Sequence, residues 1–118
     1  MATVLVLDDD PVIVELLKMI VEEGGHEAVI APTIERVPPS LAPDLVLTDL
    51  IPLTSYRREE AVRWVRDVHA RFPRAAVIVL TAHAGAVGEA DQLGADDVIA
   101  KPFDVDALTR KISERLTS

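Results

Sequence analysis

Four apolar runs in this chain each stop at a polar residue. Thr3 to Leu7 gives way to Asp8, Asp9 and Asp10, and Asp44 to Thr48 gives way to Asp49. Ala76 to Leu80 ends at Thr81, and Asp97 to Ala100 ends at Lys101. Short, nearly unbroken apolar runs bounded by turn residues predict strands buried on both faces. Pro43 and Pro52 bracket the central run. Glu27 to Ile30 is a weaker fifth candidate, second in chain order.

Between the runs the apolar spacing becomes helical. Val12, Ile13, Leu16, Leu17, Ile20 and Val21 follow Asp10-Pro11, a good N-cap and a good first helical residue. Gly24-Gly25 closes that helix. Pro32 to Ala42 carries Pro38-Pro39, so one or two turns followed by loop are expected. Ile51 to Ser55 reads as loop. A long helix starts near Ser55 or Tyr56, with Ala61, Val62, Val65 and Val68 as its inner stripe, and Phe72-Pro73 ends it. Ala84 to Leu93 predicts a marginal helix, weakened by Gly85 and Gly88 at about 1 kcal/mol each; Gly94 caps it. Pro102 turns the chain, Asp104 caps, and Val105, Leu108, Ile112 and Leu116 mark the last helix.

Strands alternating with helices predict an α/β fold: a doubly wound parallel sheet of five strands with helices on both faces. Right-handed crossovers leave few arrangements. In the flavodoxin-like order 2-1-3-4-5, strands one and three are neighbours at the switch point, where ligands bind beyond the carboxyl ends. Asp8, Asp9 and Asp49 fall there.

Composition narrows the partners. The chain has 118 residues, the size of a single domain spanning 1–118, and is 49% hydrophobic with 3% aromatic residues, so aliphatic side chains must fill the core. The net charge of −8 argues against non-specific nucleic-acid binding and against docking to anionic membranes. With no cysteine, disulfides and thiolate metal sites are excluded. The apolar runs are too short to span a bilayer, and Met1-Ala-Thr-Val lacks a basic leader, so a cytoplasmic protein is expected.

Three carboxylates drawn together repel. At 4 Å and an effective dielectric of 20, each like-charge pair costs about 4 kcal/mol. A hard divalent cation such as Mg²⁺, bound by one or two carboxylates and waters, offsets that. Lys101 adds an ammonium and Thr81 a hydroxyl. Together with a carboxylate nucleophile, these are the parts phosphoryl transfer requires, and Asp49 can act through an acyl phosphate. No Gly-rich phosphate loop is present, so the donor need not be a nucleotide. Each residue alone also has a plainer reading. The Asp8 to Asp10 run can be a capping turn, Asp49 a loop residue and Thr81 a hydroxyl at a strand end. His69 and His83 read as surface residues and His26 as a turn residue.

These residues carry a resemblance. Val-Leu-Val-Leu followed by Asp8, Asp9, Asp10 and Pro11, then Pro43 to Asp49, then Val77 to Ala82, then Leu93 to Phe103, are similar to response-regulator receiver domains of two-component signalling. The resemblance spans essentially the whole chain. It implies that a histidine kinase or phosphotransfer protein donates a phosphoryl group to Asp49. It also implies Mg²⁺ held by Asp9, Asp49 and the Ile51 backbone carbonyl, with Asp8 acting largely through water. Thr81 would bond the phosphoryl oxygen, Lys101 would pair with it, and small Ala82 would leave the site open. Phosphorylation would then shift a face built from the fourth helix, fifth strand and fifth helix, altering contacts with a downstream protein, an output domain or a second copy.

The chain departs from the family pattern in two places. Pro52 comes three residues after Asp49 rather than four, and Leu53 to Arg58 replaces the usual Gly-containing turn. Val98 stands where the family has an aromatic residue, three before the lysine. A docking or dimerisation module that needs no phosphorylation is therefore the rival reading. A small phosphohydrolase is a weaker one, because Ile51 cannot supply the general acid expected two residues after the nucleophile.

Overall fold

The computed structural model describes residues 2–50 and 57–117. Five parallel strands form one sheet: β1 (Thr3–Leu7), β2 (Glu27–Ala31), β3 (Leu45–Thr48), β4 (Ala76–Thr81) and β5 (Asp97–Ala100). Their order is β2-β1-β3-β4-β5, as the alternation predicted. Among the described residues four helices cover the sheet: α1 (Pro11–Glu23), α2 (Arg58–Arg71), α3 (Ala90–Leu93) and α4 (Val105–Thr117).

Side chains alternate across each strand, which splits the core in two. Val4, Val6, Leu45, Leu47, Ile78 and Leu80 pack with Leu17, Ile20 and Val21 of α1 and with Leu108 and Ile112 of α4. Leu5, Leu7, Val46, Val77 and Val79 face Ala61, Val65 and Val68 of α2 and Leu93 of α3. Truncating one of these buried aliphatics, for example Leu108→Ala, costs about 2–5 kcal/mol. Val105 is 43% exposed, so the inner stripe of α4 begins at Leu108.

Local chemistry sets the helix ends. Asp10 caps α1, its Oδ1 accepting from the Val12 and Ile13 N–H groups at 2.9 and 3.4 Å. Asp104 caps α4 through the Asp106 and Ala107 N–H groups. Pro32 to Ala42 contributes a single 3-10 turn at Ile34–Arg36.

The predicted helix from Ala84 to Leu93 divides in two. A 3-10 turn covers Ala84–Ala86, and α3 holds only Ala90–Leu93. Gly88 lies between them at φ +86, a left-handed backbone that interrupts the helix. His69 also differs from expectation. It is half-buried, and its Nε2 lies 2.9 Å from the Gly94 carbonyl, tying α2 to the end of α3. The loop predicted from Ile51 to Ser55 lies outside the described residues. No helix among the described residues is long and apolar enough to cross a membrane.

Candidate phosphoacceptor site at the carboxyl rim of the sheet

Parallel pairing brings the strand ends to one rim. Leu7 is the register partner of Thr48, so the next residues, Asp8 and Asp49, emerge side by side. Thr81 pairs with Ala100, which delivers Lys101 to the same rim from the far edge. Asp9 follows Asp8. One carboxylate oxygen from each of Asp8, Asp9 and Asp49 lies within 4.8 Å of the others.

Lys101 reaches across the end of β4 to this cluster. Its Nζ is 2.9 Å from Asp8 Oδ2 and 3.2 Å from Asp49 Oδ2. Asp8 is only 3% exposed. A charge so enclosed needs partners, and both its oxygens have one: Oδ2 takes the ammonium and Oδ1 accepts the Asp10 N–H at 3.0 Å. Burial works to lower the Lys101 pKa. The hydrogen bond to Asp8 and the charges of Asp49 and Asp8 outweigh it and hold the ammonium above its ordinary value.

Asp49 is held through its backbone and through one carboxylate oxygen. Its N–H continues the ladder to the Leu7 carbonyl at 3.0 Å, and its Oδ1 accepts the Leu50 N–H at 2.7 Å. The side chain remains 24% exposed, with Oδ2 on the Lys101 side.

Thr81 is fully buried at the end of β4. Its Oγ1 accepts the His83 N–H at 3.0 Å, and its carbonyl accepts the Lys101 N–H at 2.8 Å. Thr81 thus joins the cluster through the backbone of Lys101. Ala82 is exposed beside it, and Val98 is half-buried against the α2-side core. Ile51 lies outside the described residues.

Beyond the expected set, Thr48 reaches Asp49 directly and Trp64 reaches it through Thr48. Thr48 Oγ1 donates to the Asp49 carbonyl at 2.7 Å, and Trp64 Nε1 donates to Thr48 Oγ1 at 2.9 Å. The signal was present in the chain, since Trp64 sits three after Ala61 and four before Val68, on the buried face of α2.

The donor set suits a hard cation. All three candidate donors are carboxylate oxygens, the kind Mg²⁺ prefers. Their mutual approach to within 4.8 Å leaves them close enough for one ion to be shared after a modest inward movement.

A family model described as "Response regulator receiver domain" matches residues 4–113. Among solved structures, a response regulator from Thermotoga maritima superposes with a TM-score of 0.83 at 25% identity, covering 100% of this chain and 99% of that one. TrrA from Thermotoga maritima, solved in complex with Mg²⁺-BeF, gives 0.76 at 30% identity, covering 98% and 100%. NtrX from Brucella abortus, solved with ADP, gives 0.78 at 25% identity; the match covers 98% of this chain but 26% of NtrX.

Proposed function

This chain belongs to the response regulator receiver domain family, and from that premise we propose that Asp49 is its phosphoacceptor in two-component signalling. The observation that carries the reading is the Lys101 ammonium held between Asp8 and Asp49, with Asp9 in the same oxygen cluster. In that place positive charge faces the oxygen that would attack phosphorus.

The transfer balances simply. Asp49 Oδ2 attacks the phosphorus of a phosphohistidine on a histidine kinase or phosphotransfer protein. An O–P bond forms as the P–N bond breaks. The electron pair leaves with the imidazole, which takes up a proton from solvent. The product is an acyl phosphate on Asp49. Lys101 neutralises negative charge on the transferred group. Thr81 Oγ1 accepts the His83 N–H, and a hydroxyl that accepts in this way still has a proton with which to meet a phosphoryl oxygen. Asp9, Asp49 and the Ile51 carbonyl would hold Mg²⁺, with Asp8 acting largely through water, and the ion would supply further positive charge for the phosphoryl oxygens. The domain's only chemistry in this reading is its own phosphorylation and dephosphorylation.

Phosphorylation would bias the face made by α3, β5 and α4, and so the binding of a downstream protein, an output domain or a second copy in the cytoplasm. Mass spectrometry after incubation with Mg²⁺ and acetyl phosphate tests the proposal. The expected result is one phosphoryl group on Asp49, absent in Asp49→Asn. A folded protein that stays unlabelled would instead support a docking module.

A further inference from the structure

We infer that Trp64 and Thr48 are positioning residues for Asp49, acting through a directed hydrogen-bond relay and one rigid peptide plane; this rests on Asp49 being the phosphoacceptor. Thr48 is completely buried, on the side of β3 that faces α2. A buried hydroxyl is costly unless it is bonded. The indole N–H can only donate, so it obliges Thr48 Oγ1 to accept. The single hydroxyl proton must then go elsewhere, and it goes to the Asp49 carbonyl at 2.7 Å. The order Trp64 N–H, Thr48 O–H, Asp49 C=O has one allowed direction, and each bond polarises the next.

Pinning that carbonyl has a consequence one atom further on. The peptide joining Asp49 to Leu50 is planar and trans, so its C=O and N–H point to opposite sides. With the carbonyl turned toward Thr48, the Leu50 N–H is turned the other way, where it meets Asp49 Oδ1 at 2.7 Å. That bond occupies one carboxylate oxygen and orients the other, Oδ2, toward Lys101. The β3 ladder ends at Thr48, so the Asp49 carbonyl has passed the last register pair, and among the described residues the Thr48 hydroxyl is what holds it. A valine at position 48 would fill the same space and remove the donor that holds that carbonyl among the described residues.

The relay is tested with Thr48→Val, Thr48→Ser and Trp64→Phe in the full chain. Two measurements are made on each: the Leu50 amide resonance in a ¹⁵N spectrum, and the rate of Asp49 labelling by acetyl phosphate at saturating Mg²⁺. Thr48→Val should shift the Leu50 amide and slow labelling about tenfold, the scale of partners that orient a ligand. Thr48→Ser should restore both, because it keeps the hydroxyl. Trp64→Phe should move both in the same direction as Thr48→Val, and the double variant Thr48→Val with Trp64→Phe should be no worse than Thr48→Val alone. If Thr48→Val fails to fold, Trp64→Phe decides on the same criteria. Unchanged Leu50 resonances and unchanged rates in folded variants overturn the relay. If the unaltered protein takes no phosphoryl group, the phosphoacceptor reading falls, and the Leu50 amide alone then decides whether Thr48 and Trp64 position Asp49.

Discussion

Aspartates sit at both rims of this sheet and do opposite work. At the amino rim, Asp44 and Asp96 each close a two-bond clasp between neighbouring strands. Asp44 N–H donates to the Thr3 carbonyl at 2.8 Å, and Thr3 N–H donates back to Asp44 Oδ2 at 2.9 Å. Asp96 and Val77 repeat the arrangement at 2.9 and 2.8 Å. Both aspartates are exposed, so water solvates what the clasp leaves over. At the carboxyl rim, Asp8 and Asp49 also spend one oxygen on a backbone N–H, but the second oxygen of each faces Lys101. The difference lies in the second oxygen. Where it meets solvent the aspartate is a strand clasp; where it meets an ammonium beside other carboxylates it belongs to the charged cluster proposed to accept phosphorus.

The largest way to sharpen the contrast is labelling. Asp49→Asn should lose acyl phosphate completely, whereas Asp44→Ala and Asp96→Ala should keep it, as read by mass spectrometry of the intact protein. Loss of label in either clasp variant while folded would erase the distinction between the rims.

Next comes the ammonium. Lys101→Met leaves the buried Asp8 charge short of a partner and should destabilise the metal-free protein by about 2–3 kcal/mol, below the cost for a wholly buried pair because Asp49 is partly open. The folded pKa of Lys101 lies above its ordinary 10.5, so its contribution is full below that pH and is lost as pH rises through the folded value. Urea melts of both proteins should therefore show a constant gap from pH 7 to 9.5 that narrows above about 10.5. A gap that stays constant to pH 12 would remove the ion pair as its cause.

Mg²⁺ should have a smaller effect. At five times its dissociation constant it should stabilise the protein by about 1 kcal/mol. The gain should be lost in Asp9→Asn and kept in Asp44→Ala, and differential melting distinguishes the two. The effect should also fade toward acid pH, because the ligands must be ionised. The smallest effect belongs to the clasps themselves. Asp44→Ala or Asp96→Ala should cost about 0.5–1 kcal/mol, the worth of one hydrogen bond. A stability loss of several kcal/mol in urea melts would mean that the amino rim carries more than strand alignment.

Much of this was legible in the chain because parallel strands report their own ends. Each apolar run stops where the sheet stops, so Asp8, Asp49, Thr81 and Lys101 could be placed at one rim before any coordinate was known. Caps behaved similarly: Asp10-Pro11 and Asp104 act through neighbours two or three residues away. The 84–93 segment reads as one helix in sequence because its pattern carries no information about the left-handed turn at Gly88. His69 looked like a surface residue because its partner, Gly94, is 25 positions away.

By itself the amino-acid order determined the element types, the layer architecture and the identity of the charged rim, since periodicity, capping and strand termination are local properties of the chain. Only the folded arrangement decided which oxygen of Asp49 faces Lys101, which aspartates are clasps, and that Trp64 holds Thr48. Those outcomes depend on the direction of single hydrogen bonds between distant strands and helices, and no local pattern encodes a direction in space.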